Sequence, residues 1–373
     1  MRNRSISAVP EPRQFNGDGM RAVFELPKRA SETGDRECLA ECPQSARYAE
    51  LKRLVGREHL LRKRLGYYCV KICVNLALFA CALALLAVTK NSWLQAGDAV
   101  FLAFVFTQMG FIVHDAGHFQ IFRGRWKNDL VGILHANLAL GFSYTRWVTT
   151  HNMHHAHPNQ LGRDPDVDFS VLAFCKSQAL ERTGIRRWIV DRQAYLFFPL
   201  LMLEAVNLKV DCIRFLLQQK VRYRAVELIC LAVHFMLYFG FLLYFLTFAQ
   251  AAAFIVVHQA LFGLYLGLAI APNHIGMPVL EHSTELDFLT QQALTTRNLR
   301  RHWLTDYCYG PLSCQLEHHL FPTIPLSSLR KAQAIVRPYF EAHGIPYNET
   351  SPLESYREIF RFLQGVSATA TQT

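Results

Sequence analysis

The sequence predicts an all-α integral membrane protein with four spanning helices, and two observations carry that prediction. Hydrophobic residues make up 51% of the 373-residue chain and are bunched rather than spread. The runs at 69–88 (CVKICVNLALFACALALLAV), 99–113, 225–247 and 251–271 reach or approach the roughly 20 residues that cross a bilayer as helix. Each element follows in chain order. Residues 1–45 mix Arg, Glu, Pro, Ser and Gly without apolar periodicity, so they cannot bury enough surface to offset chain ordering and read as a flexible tail. No short apolar segment with a small-residue cleavage site follows the start, and no signal peptide is expected. The main domain is taken as 46–350. Its shorter runs, 130–142 and 194–206 (AYLFFPLLMLEAV, which contains Glu204), read as interfacial or buried helices. Residues 351–373 form a C-terminal helix or tail.

Charge sets the expected orientation. The connection between the first two runs (KNSWLQAGD) has one Lys, that between the last two (around TFAQA) has none, and nearly every other Lys or Arg lies elsewhere. By the positive-inside tendency, both termini and residues 114–193 face the cytoplasm. The net charge of +10 fits attraction to anionic lipid headgroups, most clearly in RYAELKRLVGREHLLRKRLG before the first run. It also fits a docking face for an acidic redox protein or an acyl-carrier phosphate. No nucleic-acid partner is expected. The ten cysteines form no metal-type CxxC pair, and Cys69, Cys73, Cys81 and Cys230 sit in apolar runs as small hydrophobes, so disulfides are not indicated.

Chemistry concentrates in three windows that hold seven of the sixteen histidines. HDAGH places His114 and His118 at i and i+4 at the end of the second run, on one helix face. HNMHH places His151, His154 and His155 at i, i+3 and i+4. QLEHH adds His318 and His319, with Gln315 one turn earlier. A lone HxxxH is commonly surface or core, but three such windows on one side of a membrane point to metal. Imidazole suits zinc, copper, nickel and iron alike, so number decides more than type. Seven or eight nitrogens exceed a tetrahedral zinc site and suffice for two ions with open positions. Zinc proteolysis needs HExxH, and soluble carboxylate di-iron bundles need paired Glu-x-x-His; neither occurs. Bis-histidine haem needs single histidines on facing helices. A two-iron, histidine-rich, oxygen-activating centre survives.

HDAGH, HNMHHAHPN and QLEHHLFPTIP resemble the three histidine boxes (HxxxH, HxxHH, QxxHH) of the membrane fatty acid desaturases. HQALFGLYLGLAIAPNHIGMP and LTTRNLR are similar to bacterial acyl desaturases of that family, and the resemblance covers roughly 65–350. It implies four transmembrane helices under a cytosolic helical cap that holds a non-haem di-iron site. It also implies oxygen-dependent formation of a cis double bond in a long fatty acyl chain, in a bacterial cytoplasmic membrane. His114, His118, His151, His154, His155, His318 and His319 match box positions and are the implied iron ligands. A further ligand is implied just after the fourth run, where His274 stands, with Asn273 beside it acting directly or through a water. Gln315 replaces a histidine found in many relatives, as in front-end desaturases, and leaves that corner of the coordination open.

Other residues have supporting or ordinary roles. His157 lies off the HNMHH face and is either beside the site or exposed. His135, His234 and His258 read as satisfied buried histidines, and His302 in RNLRRHW as part of a solvated face. Among Asp115, Asp164, Asp166, Asp168 and Glu317, which could orient ring N–H groups, Asp115 and Glu317 rank first because they lie inside boxes. Phe111, Phe119, Phe122, Tyr144 and Trp147 are candidate walls of an apolar tunnel. An unactivated methylene offers no acidic or electrophilic handle, so the hard chemistry belongs to two non-haem irons and O₂. No flavin, nicotinamide or iron–sulfur fingerprint is found, nor the His-Pro-Gly-Gly of a fused cytochrome b5. A separate ferredoxin-like or cytochrome donor with its reductase is expected. The acyl carrier stays open between CoA, carrier protein and glycerolipid, and an acyl hydroxylase or acetylenase on the same centre is the alternative.

Overall fold

The computed structural model describes residues 44–371. The expected tail, 1–45, therefore lies outside the described residues except for its last two positions, which begin α1 (Gln44–Arg57). Four helices are long and apolar enough to cross a membrane. The first two are α2 (Leu65–Val88) and α3 (Ser92–Gly117). Asn91 starts α3 as N-cap, its side chain accepting from the N–H groups of Trp93 and Leu94. Helix α3 is longer at both ends than the apolar run 99–113 because it carries Gln95, Asp98, Gln108, His114 and Asp115 facing protein rather than lipid, all buried. Its apolar window is 67% buried, against 17% for α2, which makes α3 the central strut.

After α3 come α4 (Arg125–Ile133), a π-helix (Leu134–Leu140) and α5 (Tyr144–Ala156), the helix that carries HNMHH. The π-helix ends at Gly141, whose φ of +81° suits glycine, and a Cβ there would lie 2.3 Å from His234 Nε2. The run 194–206 is broken in two. After α6 (Lys176–Glu181) and α7 (Gly184–Val190), α8 (Gln193–Leu201) stops and α9 (Glu204–Gln218) starts afresh. The other two long apolar helices follow, α10 (Arg224–Phe245) and α11 (Phe248–Ile270), the second opened by a capping box between Thr247 and Gln250.

The remaining chain builds a layer of short elements. These are α12 (Phe288–Thr295), β1 (Asn298–Leu299), α13 (Trp303–Tyr309), α14 (Gln315–Leu320), α15 (Leu326–Ala342), β2 (Glu349–Thr350) and α16 (Pro352–Thr371). Strands β1 and β2 pair in parallel, Asn298 opposite Glu349. Two apolar cores hold the layer. Leu51 and Val55 of α1 pack with Leu320, Val336 and Phe340, while Ile359 and Leu363 of α16 pack with Val167, Phe174 and Phe197.

One buried carboxylate ties the HNMHH helix to the membrane helices. Glu227 on α10 accepts from Asn137 Nδ2 at 3.0 Å, Ser143 Oγ at 2.5 Å and the Thr145 N–H at 3.2 Å, and from the Thr145 hydroxyl. Ser143 is also the N-cap of α5, accepting from the Arg146 N–H at 3.1 Å. A negative charge thus sits at the N-terminus of α5, where the helix dipole favours it. Glu227→Ala would leave these donors buried without an acceptor, at a cost on the order of 3 kcal/mol. The expected outcome is a lowered thermal midpoint in detergent, with Glu227→Gln affected less because one acceptor oxygen remains; equal midpoints for Glu227→Ala and wild type would contradict this role.

Candidate metal centre

Four separate segments bring imidazoles to one place. His114 lies in the last turn of α3 and His118 is its C-cap, their rings 4.8 Å apart. Helix α5 supplies His151, His154 and His155, and α14 supplies Gln315, His318 and His319. His274 follows a 3-10 turn (Ala271–Asn273) that ends α11. All eight are buried except His151, which is half-buried. Two sets form. In the first, His114, His118, His151 and His318 have ligand atoms within 4.8 Å of one another. His155 joins this set, its Nε2 standing 3.1 Å from that of His151 and 3.1 Å from that of His318. In the second, His154, His274 and His319 converge. The sets touch where His155 and His319 stack at 4.1 Å.

Tautomers follow from the oxygens behind the rings of the second set. His154 Nδ1 meets Asp164 Oδ2 at 2.9 Å, His274 Nδ1 meets the Thr295 carbonyl at 3.0 Å, and His319 Nδ1 meets Gln292 Oε1 at 2.8 Å. Each oxygen accepts, so each Nδ1 carries the hydrogen, and in the neutral ring Nε2 keeps a lone pair. His154 Nε2 and His274 Nε2 face each other at 3.2 Å. With both rings neutral, lone pair meets lone pair, a repulsion that a metal ion, or a proton on His154, relieves. Three nitrogen pairs, His151–His155, His155–His318 and His154–His274, stand 3.1–3.2 Å apart, close enough for the two nitrogens of each to share one ion at bonds of about 2.1 Å. Gln315 enters the same corner, its Nε2 2.8 Å from His274 Nε2 and 3.0 Å from His319 Nε2.

Further polar atoms fit a bound ion. His114 Nε2, His118 Nε2, Asn273 Oδ1 and Gln315 Oε1 are buried without a hydrogen-bond partner. Protonation does not relieve them. Burial, then neighbouring imidazoles, holds His151, His155, His318 and His319 well below the ordinary histidine range. The same causes bring His118 and His274 down to about 3. Neutral imidazole is the metal-binding form. His154 differs: burial pulls it down, but Asp164 and Asp166 outweigh burial and raise it.

Of the two carboxylates ranked first from sequence, Asp115 meets an imidazole and Glu317 does not. Glu317 gives its oxygens to Asn298 Nδ2 and the Tyr347 hydroxyl, both at 2.8 Å, rather than to an imidazole. It fastens α14 to β1, because residue 317 points to the opposite side of a short helix from His318 and His319. Asp115 stands 3.4 Å from His114 Nδ1 and is paired with Lys71 of α2 at 2.7 Å. Asp164 orients His154, with Asp166 at 3.5 Å, whereas Asp168 is exposed. Sequence order could not rank Asp164, because the turn through Asn159, at φ +54°, is what returns it to His154. His157 is half-buried, caps α5 through its backbone and joins neither set. Asn273 donates Nδ2 to the carbonyls of Arg297 and Leu312. His135, His234 and His258 each pair one ring nitrogen, as buried histidines should.

A cavity of about 370 Å³ is bounded at one end by His154 and His274 and walled by Phe174, Phe197, Leu201, Met277, Val279 and Phe362, with Glu204 and Asn207 also in its lining. None of the five aromatic residues expected near the boxes lines it. Trp147 stacks on His151 at 4.5 Å and Phe111 packs with Ala269 and Leu312. Side chains next to a box in sequence are spent on packing its helix, and these walls come from α8, α16 and the segments around Phe174 and Met277.

The chain was compared with known proteins. A family model described as fatty acid desaturase matches residues 91–351. An acyl-lipid (9-3)-desaturase of Physcomitrium patens is 29% identical over 363 residues, covering 91% of this chain and 66% of the relative. A Delta(8)-fatty-acid desaturase of Euglena gracilis is 32% identical over 279 residues, covering 71% and 66% respectively. The Delta(5) fatty acid desaturase fat-4 of Caenorhabditis elegans is 27% identical, covering 67% and 59%. The chain thus spans just under two thirds of the length of these curated relatives.

The ring-orienting contacts set Asp164 apart from Glu317, which the sequence ranked above it. Asp164→Ala removes the acceptor that fixes His154 and should weaken metal binding by about 10–100-fold, the usual effect of losing such a partner. Glu317→Gln should leave affinity within a few-fold of wild type. Chelator competition on purified protein measures both, and a reversed order would refute the assignment.

Proposed function

Since the chain belongs to the fatty acid desaturase family, we propose that it is an oxygen-dependent acyl desaturase that introduces a cis double bond into a long acyl chain at a non-haem di-iron centre. The observation that carries this reading is the presence of two convergent imidazole sets, the second of which lines an apolar cavity through His154 and His274. His114, His118, His151, His155 and His318 hold one iron. His154, His274 and His319 hold the other, with Gln315 and Asn273 offering an amide oxygen each. When bound, the irons use O₂ and two external electrons to supply an oxidant strong enough to remove hydrogen from an unactivated methylene. The protein's own contribution is position and dryness. Phe174, Phe197, Leu201 and Phe362 exclude water and hold an extended chain, so that one carbon pair lies beside the irons; a shift of about 1 Å would move or abolish reaction.

The partners follow from the same reading. The four apolar helices place the protein in a membrane, and the layer from α12 to α16 forms a cap over the imidazoles on the cytoplasmic side. A separate ferredoxin-like or cytochrome donor, with its reductase, delivers electrons to the basic cap surface. Gln315 at the head of the third box aligns the chain with the QxxHH branch of the family. The relatives bear names with different double-bond positions, so the position in this chain's product is set by its own cavity.

Two outcomes test the reading. Membranes containing the protein should form cis-unsaturated acyl product only with O₂ and a supplied donor, and His118→Ala, His155→Ala and His319→Ala should each abolish product while remaining membrane-inserted. About two irons per chain are expected. Mainly hydroxylated acyl chains would reassign the enzyme, and wild-type turnover in the three variants would remove the metal assignment. Topology is the second test: cysteines introduced at positions 160 and 330 should be labelled from the same, cytoplasmic side, and labelling from opposite sides would be incompatible with one shared site.

A further inference from the structure

We propose that Arg297, held by Glu358, is the residue that sets the position of His274, an inference that rests on reading His274 as an iron ligand. His274 is the one ligand imidazole supplied outside the three boxes, and it stands on the turn that ends α11 rather than within a helix. It follows a single 3-10 turn and precedes Gly276 at φ +89°. Such a turn has few hydrogen bonds of its own, so its shape must be imposed from outside.

Arg297 imposes it. Its Nε donates to the Pro272 carbonyl at 2.8 Å and its Nη2 to the Ile275 carbonyl at 3.0 Å. Its backbone N–H donates to the Asn273 carbonyl at 2.9 Å, and its own carbonyl accepts from Asn273 Nδ2 at 2.9 Å. One residue therefore meets 272, 273 and 275, on both sides of His274. Two residues upstream, the Thr295 carbonyl takes the His274 Nδ1–H, so one short segment fixes both the backbone and the ring. Arg297 is 3% exposed, and a planar guanidinium with donors in fixed directions is the only side chain that can span two carbonyls in this way. The remaining donor, Nη1, pairs with Glu358 of α16, which keeps the buried charge compensated. Phe362, one helical turn after Glu358, walls the cavity. Helix α16 thus braces the His274 turn and the acyl space together.

Lysine at 297 keeps the charge but cannot reach both carbonyls. Glu358 has a partly exposed side chain, so its removal leaves the core intact and loosens only the clamp. The test is release of iron from the reduced, full-length holoprotein to a ferrous chelator, with His274→Ala alongside. Arg297→Lys should speed release of one of the two irons by about 10–100-fold and leave the other at its wild-type rate. Glu358→Ala should act on the same iron by a smaller factor. His274→Ala should remove that iron altogether. If His274→Ala alters neither iron, the ligand reading fails; if it does but Arg297→Lys and Glu358→Ala do not, the clamp fails. Equal acceleration of both irons in either clamp variant would mean a general loss of fold stability and would also overturn the proposal.

Discussion

Two imidazole lone pairs facing each other across 3.2 Å, His154 and His274, are the constraint around which the rest of this molecule is arranged. With both rings neutral such a contact is repulsive, and it is maintained because each ring is held from behind. Asp164, the Thr295 carbonyl and Gln292 take the Nδ1 hydrogens of the second set, which leaves no rotation that would turn a lone pair away. Burial keeps nearly all these rings neutral, so the set is prepared for metal instead of protons. Metal affinity then depends as much on the oxygens behind the rings as on the rings themselves.

Holding four segments in register requires stiff connections to the membrane helices. Helix α3 does this directly, since its own end carries His114 and His118. Helix α5 has no such continuity and is fastened through Ser143 and Thr145 to Glu227 on α10. The His274 turn is fastened by Arg297, and α14 by Glu317 to Asn298 and Tyr347. Three buried charges thus do comparable tasks, each linking a ligand-bearing segment to a different neighbour. Buried charges are a poor source of stability, but their many directed bonds specify position, which a metal site requires.

Apolar surroundings give the site its second property. The cavity at His154 and His274 is walled by aromatic and aliphatic side chains from elements distant in sequence. On the proposed reading, selectivity among carbon pairs comes from where this cavity stops. The walls at Phe362 and Leu201 belong to α16 and α8, so substitutions far from the histidine boxes are placed to alter the product.

The sequence by itself determined the membrane helices and the seven imidazoles of the three windows, for a physical reason. Long apolar runs have no other stable solution than a lipid or protein interior, and HDAGH, HNMHH and QLEHH put their rings on one face through the local periodicity of a helix. Even there the limits of α3 were too short, because its polar residues face protein and break the hydropathy signal. Only the tertiary structure decided what stands behind the rings and what walls the cavity. Asp164 over Glu317, Gln292 behind His319, and Arg297 around His274 are contacts across 10 to 27 positions of chain, set by turns at Asn159 and Gly276 and by the packing of α12, α14 and α16. Local periodicity says nothing about such pairings, since a carboxylate's partner depends on where the chain returns.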